Sequence, residues 1–136
     1  MPGKWTVPGG KLYQEDYINK PVDTTSNQWY NICENLVERE ILEETGLKVK
    51  GVKYIASLVF VRPDGIPTLV ISLAAHYDSG EVLLCKDLTD HAWVSLEEAK
   101  NYDLIDGIYH ELEMVNNHIK GQDLGLWKKN LSSKNI

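Results

Sequence analysis

The chain has 136 residues, 43% of them hydrophobic and 25% charged, about one globular domain and too well balanced for a disordered chain. Its 14 basic and 20 acidic residues leave a net charge of −6, which argues against a broad basic surface for duplex nucleic acid. A phosphate-bearing small molecule then needs another positive group to receive it, and a metal ion is the natural candidate. No run approaches the ~18 consecutive apolar residues of a membrane span, and residues 1–10 lack a signal-peptide core, so a cytoplasmic protein is expected. Cys33 and Cys85 form no zinc or disulfide pattern and read as buried, reduced thiols.

In chain order, Trp5-Thr6-Val7 is a short β-prone run that stops at Pro8-Gly9-Gly10, a turn needing backbone freedom. Lys11 to Thr25 is polar and aperiodic, and reads as a loop. From about Ser26 to Glu44 the residues Trp29, Cys33, Leu36 and Val37 recur at helical spacing, with Thr25 or Ser26 as N-cap and Gly46 as a left-handed C-cap. Val49 to Arg62 and Thr68 to Tyr77 predict a hairpin turned by Pro63-Asp64-Gly65, and the apolar run Leu69 to Ala75 predicts a central strand buried on both faces. Ala92-Trp93-Val94 predicts a further short strand. Ser95 opens a short helix through Ala99, and Leu112, Val115 and Ile119 mark a C-terminal helix from Tyr109 to Lys120. The polar tail from about residue 121 is expected to fray.

The informative segment is Arg39-Glu40-Ile41-Leu42-Glu43-Glu44-Thr45-Gly46-Leu47. Positions i, i+3 and i+4 share one helix face, so Glu40, Glu43 and Glu44 point together, and the same angle counted backwards reaches Val37, Leu36, Cys33 and Trp29. The three carboxylates therefore continue the core stripe. A Glu-rich helix end is commonly just a solvated face. Here, however, like charges at i, i+4 and acids at the negative end of the helix dipole each cost on the order of 0.3–1 kcal/mol, a cost that a divalent cation would offset. Hard oxygen donors suit Mg²⁺ or Mn²⁺. Arg39 lies one turn before Glu43 and can hold its carboxylate. The alternative for it is an exposed ion pair of little consequence. Pro8-Gly9-Gly10-Lys11 can turn a backbone carbonyl to a metal and Lys11 to a phosphate, or can be a plain turn.

This segment matches without departure the second half of the Nudix box, Arg-Glu-U-x-Glu-Glu-x-Gly-U with U aliphatic, and Trp5 to Lys11 resembles the strand and turn that open it. Trp93 to Ala99 is similar to a segment that commonly follows the metal site. The resemblance, over roughly residues 4 to 120, implies an α/β (α+β) fold with a Nudix-like mixed β-sheet sandwiched between helices, as a single domain over residues 1–136. It implies that Glu40, Glu43 and Glu44 bind Mg²⁺, with Mn²⁺ as a substitute, that Gly9 offers its carbonyl to a metal, that Lys11 and Gly10 meet the substrate, and that Arg39 orients Glu43. The implied chemistry is water attack on phosphorus in a nucleoside diphosphate linked to another group. Glu40, Asp87 and Asp90 are candidate bases, the two aspartates also reading as solvated turn residues.

Two departures accompany it. Counting Gly-x5-acid from Gly10 lands on Asp16 rather than glutamate, and 22 residues instead of seven separate it from Arg39. The enlarged loop, at about residues 16–26, is cheap in closure entropy and is expected to shape the substrate pocket. The family also carries a strand ahead of the box, and the chain here starts almost at it. An edge without that strand, with Pro2 unable to donate to a ladder, predicts pairing into a homodimer, the competing cover being Leu124 to Trp127. The stretched box motivates an alternative function, a catalytically impaired Nudix-fold nucleotide-binding or regulatory module. A calcium-stabilised structural domain lacks an EF-hand loop. Trp5, Trp29, Tyr54, Phe60, Tyr77 and Trp93 are aromatics for a base to stack on, or core residues.

Overall fold

The computed structural model describes residues 3–129, and Pro2 and the last seven positions of the tail lie outside the described residues. Helices and strands combine into a mixed α/β fold: α1 (Ile32–Thr45), β1 (Lys48–Val61), β2 (Pro67–Ser79), α2 (Leu96–Ala99) and α3 (Ile108–Ile119), with one 3-10 turn at Gln14–Asp16. β1 and β2 form a two-stranded antiparallel sheet, and the parallel component is an isolated bridge between Trp5 and Leu104. By contact the chain divides into two compact units, one of Met1–Val7, Tyr54–Ala74 and His91–Ile136, the other of Pro8–Lys53 and Ala75–Asp90.

In the first unit the hairpin turns as expected. Gly65 takes φ 87° and its N–H donates to Arg62 O at 2.8 Å, while Asp64 accepts from Ile66 N–H (3.1 Å) and pairs with the Arg62 guanidinium (2.6 Å). The core is Ile55, Ala56 and Met114, with Ala74, Val115 and Leu124 packed on it. Burying Met114 contributes about 2–3 kcal/mol. Three expectations are corrected here. Leu69 to Ala75 is no central strand buried on both faces: Leu69 is 67% exposed, Val70 is half-buried between exposed Leu69 and Ile71, and in the described two-stranded sheet β2 pairs with β1 alone and so is an edge strand. Ala92-Trp93-Val94 forms no strand, and of Trp5-Thr6-Val7 only Trp5 makes a bridge, set edge-on to Tyr102 at 4.9 Å. The described part of the tail, through residue 129, makes packing contacts. Leu124 packs on the core, and Trp127 donates from Nε1 to Gly107 O (3.1 Å) and stands edge-on to His110.

α2 begins as the sequence predicts. Ser95 Oγ accepts from Glu98 N–H (3.1 Å) and Glu98 Oε1 accepts from Ser95 N–H (2.9 Å), a reciprocal capping box that also holds the Glu98 carboxyl below its ordinary range.

The second unit is built on α1, which starts at Ile32 rather than near Ser26. The residues ahead of it are committed elsewhere. Asn27 and Asn31 take left-handed φ values of 53° and 60°, Tyr30 N–H donates to Asp23 Oδ2 (2.8 Å), and Trp29 Nε1 donates to Lys20 O (2.9 Å). Once inside the helix the expected face appears: Cys33, Leu36 and Val37 are half-buried, and Glu34, Asn35 and Glu38 are exposed. Gly46 ends it at φ 78°, donating to Leu42 O (2.9 Å). The carbonyls of Glu44 and Thr45, which a free helix end leaves unpaired, accept from Cys85 N–H (3.0 Å) and Leu83 N–H (2.8 Å). The 83–85 segment is thereby fastened to the end of the carboxylate helix.

Candidate active site

Gly9, Gly10, Lys11, Asp16, Arg39, the three glutamates, Asp87 and Asp90 all lie in the second unit. The glycine turn comes against α1 despite the enlarged loop between them. Gly9 N–H donates to Glu44 Oε1 at 3.1 Å, and the Glu40 carboxylate occupies the space that a Cβ on Gly10 would fill. A side chain at position 10 is thus excluded unless Glu40 moves, whereas a Cβ on Gly9 would meet nothing within 4 Å.

Arg39 organises the other side. Its Nε and Nη2 take both oxygens of Asp16 (2.8 and 3.1 Å), its Nη1 reaches Glu40 Oε1 (2.9 Å) and Glu43 Oε1 (3.0 Å), and Nη2 also donates to Lys11 O at 3.5 Å. Burial pulls the Arg39 pKa down, but the carboxylates of Glu40, Asp16 and Glu43 outweigh it and hold it above its ordinary value. Asp16 is the residue on which the sequence count landed as a departure. The structure makes it the forked partner of Arg39, a pairing across 22 intervening residues that no local pattern carries.

The three glutamates do not continue one buried stripe. Glu40 is the sunken one, with 13% of its side chain exposed, Glu44 is half-buried, and Glu43 is 60% exposed and held by Arg39. A charge favours water and a guanidinium over an apolar surface, so Glu43 leaves the core side. The Glu44 carboxyl is pushed above its ordinary pKa by burial, partly offset by the Gly9 hydrogen bond and reinforced by the charges of Glu40, Glu43 and Asp87. Asp87 follows directly on the segment fastened to α1, and its field on Glu44 is a connection the sequence did not reveal. Asp87, Asp90 and Lys11 are exposed.

Among the described residues, no three His, Cys, Asp or Glu side chains are grouped so as to hold a metal ion, since each glutamate is turned to a protein partner. The carboxylates of Glu40, Glu43 and Glu44 are hard oxygen donors, the type that suits Mg²⁺ or Mn²⁺.

Arg39 offers the first test. A lysine cannot fork onto Asp16 while also reaching Glu40 and Glu43. Arg39→Lys is therefore expected to lower the melting temperature by a few degrees, about 1–2 kcal/mol, with Asp16 half orphaned. Circular dichroism melts check this, and an unchanged melting temperature would show that the fork adds nothing to stability.

No family model matches the chain. Curated proteins do match. It is 41% identical over 66 residues to the NAD-capped RNA hydrolase NudC of Actinobacillus succinogenes, covering 48% of this chain and 24% of that protein. It is 35% identical, over the same shares, to the NAD-capped RNA hydrolases NudC of Citrobacter koseri and of Escherichia coli O1:K1 / APEC. The similarity to these hydrolases extends over about half the chain. The chain spans about a quarter of the length of the curated relatives it matches. Among the described residues no helix is long and apolar enough to cross a membrane.

Proposed function

We propose that the chain is a Nudix-type pyrophosphohydrolase that uses Mg²⁺ to split the diphosphate of a nucleoside diphosphate linked to another group, with NAD or an NAD-capped RNA end as the substrate class. The single observation that carries the reading is the junction of the glycine turn with α1, in which Gly9 N–H meets Glu44 and Gly10 makes room for Glu40. The similarity to NudC hydrolases supports it and points to the substrate class.

In this proposal Glu40, Glu43 and Glu44 would hold the cation with the carbonyl of Gly9, and a cation held there would supply charge neutralisation for the diphosphate and a lowered pKa for water. Arg39 keeps Glu43 and Glu40 in register with Asp16. Lys11 and Gly10 meet the phosphates. Water attacks one phosphorus, its proton passes to the carboxylate of Glu40, Asp87 or Asp90, and the bridging P–O bond breaks to leave two monophosphates. Homodimerisation belongs to the same proposal, supported by Val59, Val61 and Leu69, which the hairpin leaves exposed.

The test is NAD with Mg²⁺ and, separately, with EDTA, scored for nicotinamide mononucleotide and AMP. Both products should appear with metal and neither without it. AMP binding with no cleavage of NAD or of any nucleoside diphosphate sugar would instead favour the nucleotide-binding module.

A further inference from the structure

The Arg39 guanidinium holds the chain at two points five residues apart, the carbonyl of Lys11 and the carboxylate of Asp16. Asp16 Oδ2 also accepts from Tyr13 N–H at 2.7 Å, so the segment between the two points is tied a third time, at its middle. Residues 12–15 are all exposed, and they carry two large apolar side chains outward, Leu12 and Tyr13, the latter 56% exposed. An exposed tyrosine on a slack loop is unremarkable. One on a segment clipped to the arginine of a catalytic helix is a rigid aromatic surface set beside that helix.

Of the other aromatics of this unit, Tyr30 is also exposed (62%) but its backbone is tied to Asp23 and not to Arg39, and the rest have protein partners. Tyr17 and Trp29 face each other at 5.1 Å, the Trp29 indole donates to Lys20 O, and the Tyr77 hydroxyl donates to Gly80 O. Tyr13 stands two residues after Lys11 in extended backbone (φ −111°, ψ 156°), and two extended residues span about 7 Å. That is the reach of one ribose between a phosphate and its base. Resting on the reading of the site as a diphosphate hydrolase, we propose that Tyr13, clipped to Arg39 through Asp16, is the platform on which an aromatic ring of the substrate stacks, with Lys11 at the adjoining phosphate. Specificity then falls on substrates carrying a planar ring one ribose away from the scissile diphosphate.

Stacking tolerates any flat ring and is lost on truncation to alanine. The full chain is titrated with AMP and with ribose 5-phosphate, which lacks the ring, and NAD turnover is followed in parallel. Tyr13→Ala should weaken AMP binding about tenfold while ribose 5-phosphate binding stays put, and should raise KM for NAD about tenfold, well beyond any fall in kcat. Tyr13→Phe, which keeps the ring and loses the hydroxyl, should restore AMP affinity. Equal losses for AMP and ribose 5-phosphate, or no loss for either, would overturn the platform. Wild type cleaving NAD with the same KM as Tyr13→Ala removes the platform and leaves the hydrolase reading intact. Wild type that neither binds AMP nor cleaves NAD removes both.

Discussion

Glu44→Gln is expected to reduce hydrolysis by about 10³-fold on the reading proposed above, in which losing an anionic metal ligand forfeits several kcal/mol of charge stabilisation on the diphosphate. The substitution is close to isosteric, and a glutamine oxygen can still accept the Gly9 N–H that Glu44 Oε1 accepts at 3.1 Å. The fold should therefore survive. Without metal it should gain slightly, because Glu40 and Glu44 are like charges at i, i+4 near the negative end of α1, an arrangement costing on the order of 0.3–1 kcal/mol. Paired measurements settle it: kcat on NAD at saturating Mg²⁺, and melting temperature with EDTA and with Mg²⁺. Wild type should be raised by Mg²⁺ and Glu44→Gln raised much less. Equal stabilisation of both by metal would place the cation elsewhere, and retained kcat would remove Glu44 from the site.

Gly10→Ala is the second large effect, and it separates activity from stability. The new Cβ takes the position of the Glu40 carboxylate, the far end of a flexible side chain, which can swing away at a stability cost below about 1 kcal/mol. Catalysis has no such slack. Displacing a catalytic group by about 1 Å costs on the order of 10²-fold, and Glu40, in the role proposed for it, must move further than that to clear a methyl group. Gly9→Ala, whose Cβ meets nothing within 4 Å, should cost much less. Steady-state rates for the two variants, with melts alongside, give the comparison. If the two alanines lowered kcat equally, or if Gly10→Ala unfolded the chain, the close approach of Gly10 to Glu40 would not be what the turn is for.

Local chemistry was legible wherever it had a short period or a fixed offset. Gly46 as a left-handed cap, Ser95 opening a helix with Glu98 three residues on, the Asp64-Gly65 turn and the half-buried face of Cys33, Leu36 and Val37 all follow from neighbours within one or two turns of chain. So does the hydrogen bond from Arg39 to Glu43, an i, i+4 pair. What failed was local pattern read without knowing what else competes for the same atoms. Ser26 looked like a cap, but the 17–31 loop spends its polar groups on itself, and α1 begins only after Asn31 has turned the chain through φ 60°. Leu69 to Ala75 looked like a fully buried strand because an apolar run records composition and not how many sheet neighbours or covering layers a strand will have.

By itself, then, the sequence determined the C-cap of α1, the capping box of α2 and the half-buried face of Cys33, Leu36 and Val37, because these depend on residue type and on short spacings along the chain. The tertiary structure alone decided three things. It brought Asp16 onto Arg39 across 22 residues, a closure whose entropy grows only with the logarithm of loop length. It placed Glu40 inward and Glu43 out, because a guanidinium and water compete with the core for each carboxylate. It delivered Asp87 to the field of Glu44, because the carbonyls that end α1 need donors and the N–H groups of Leu83 and Cys85 supply them.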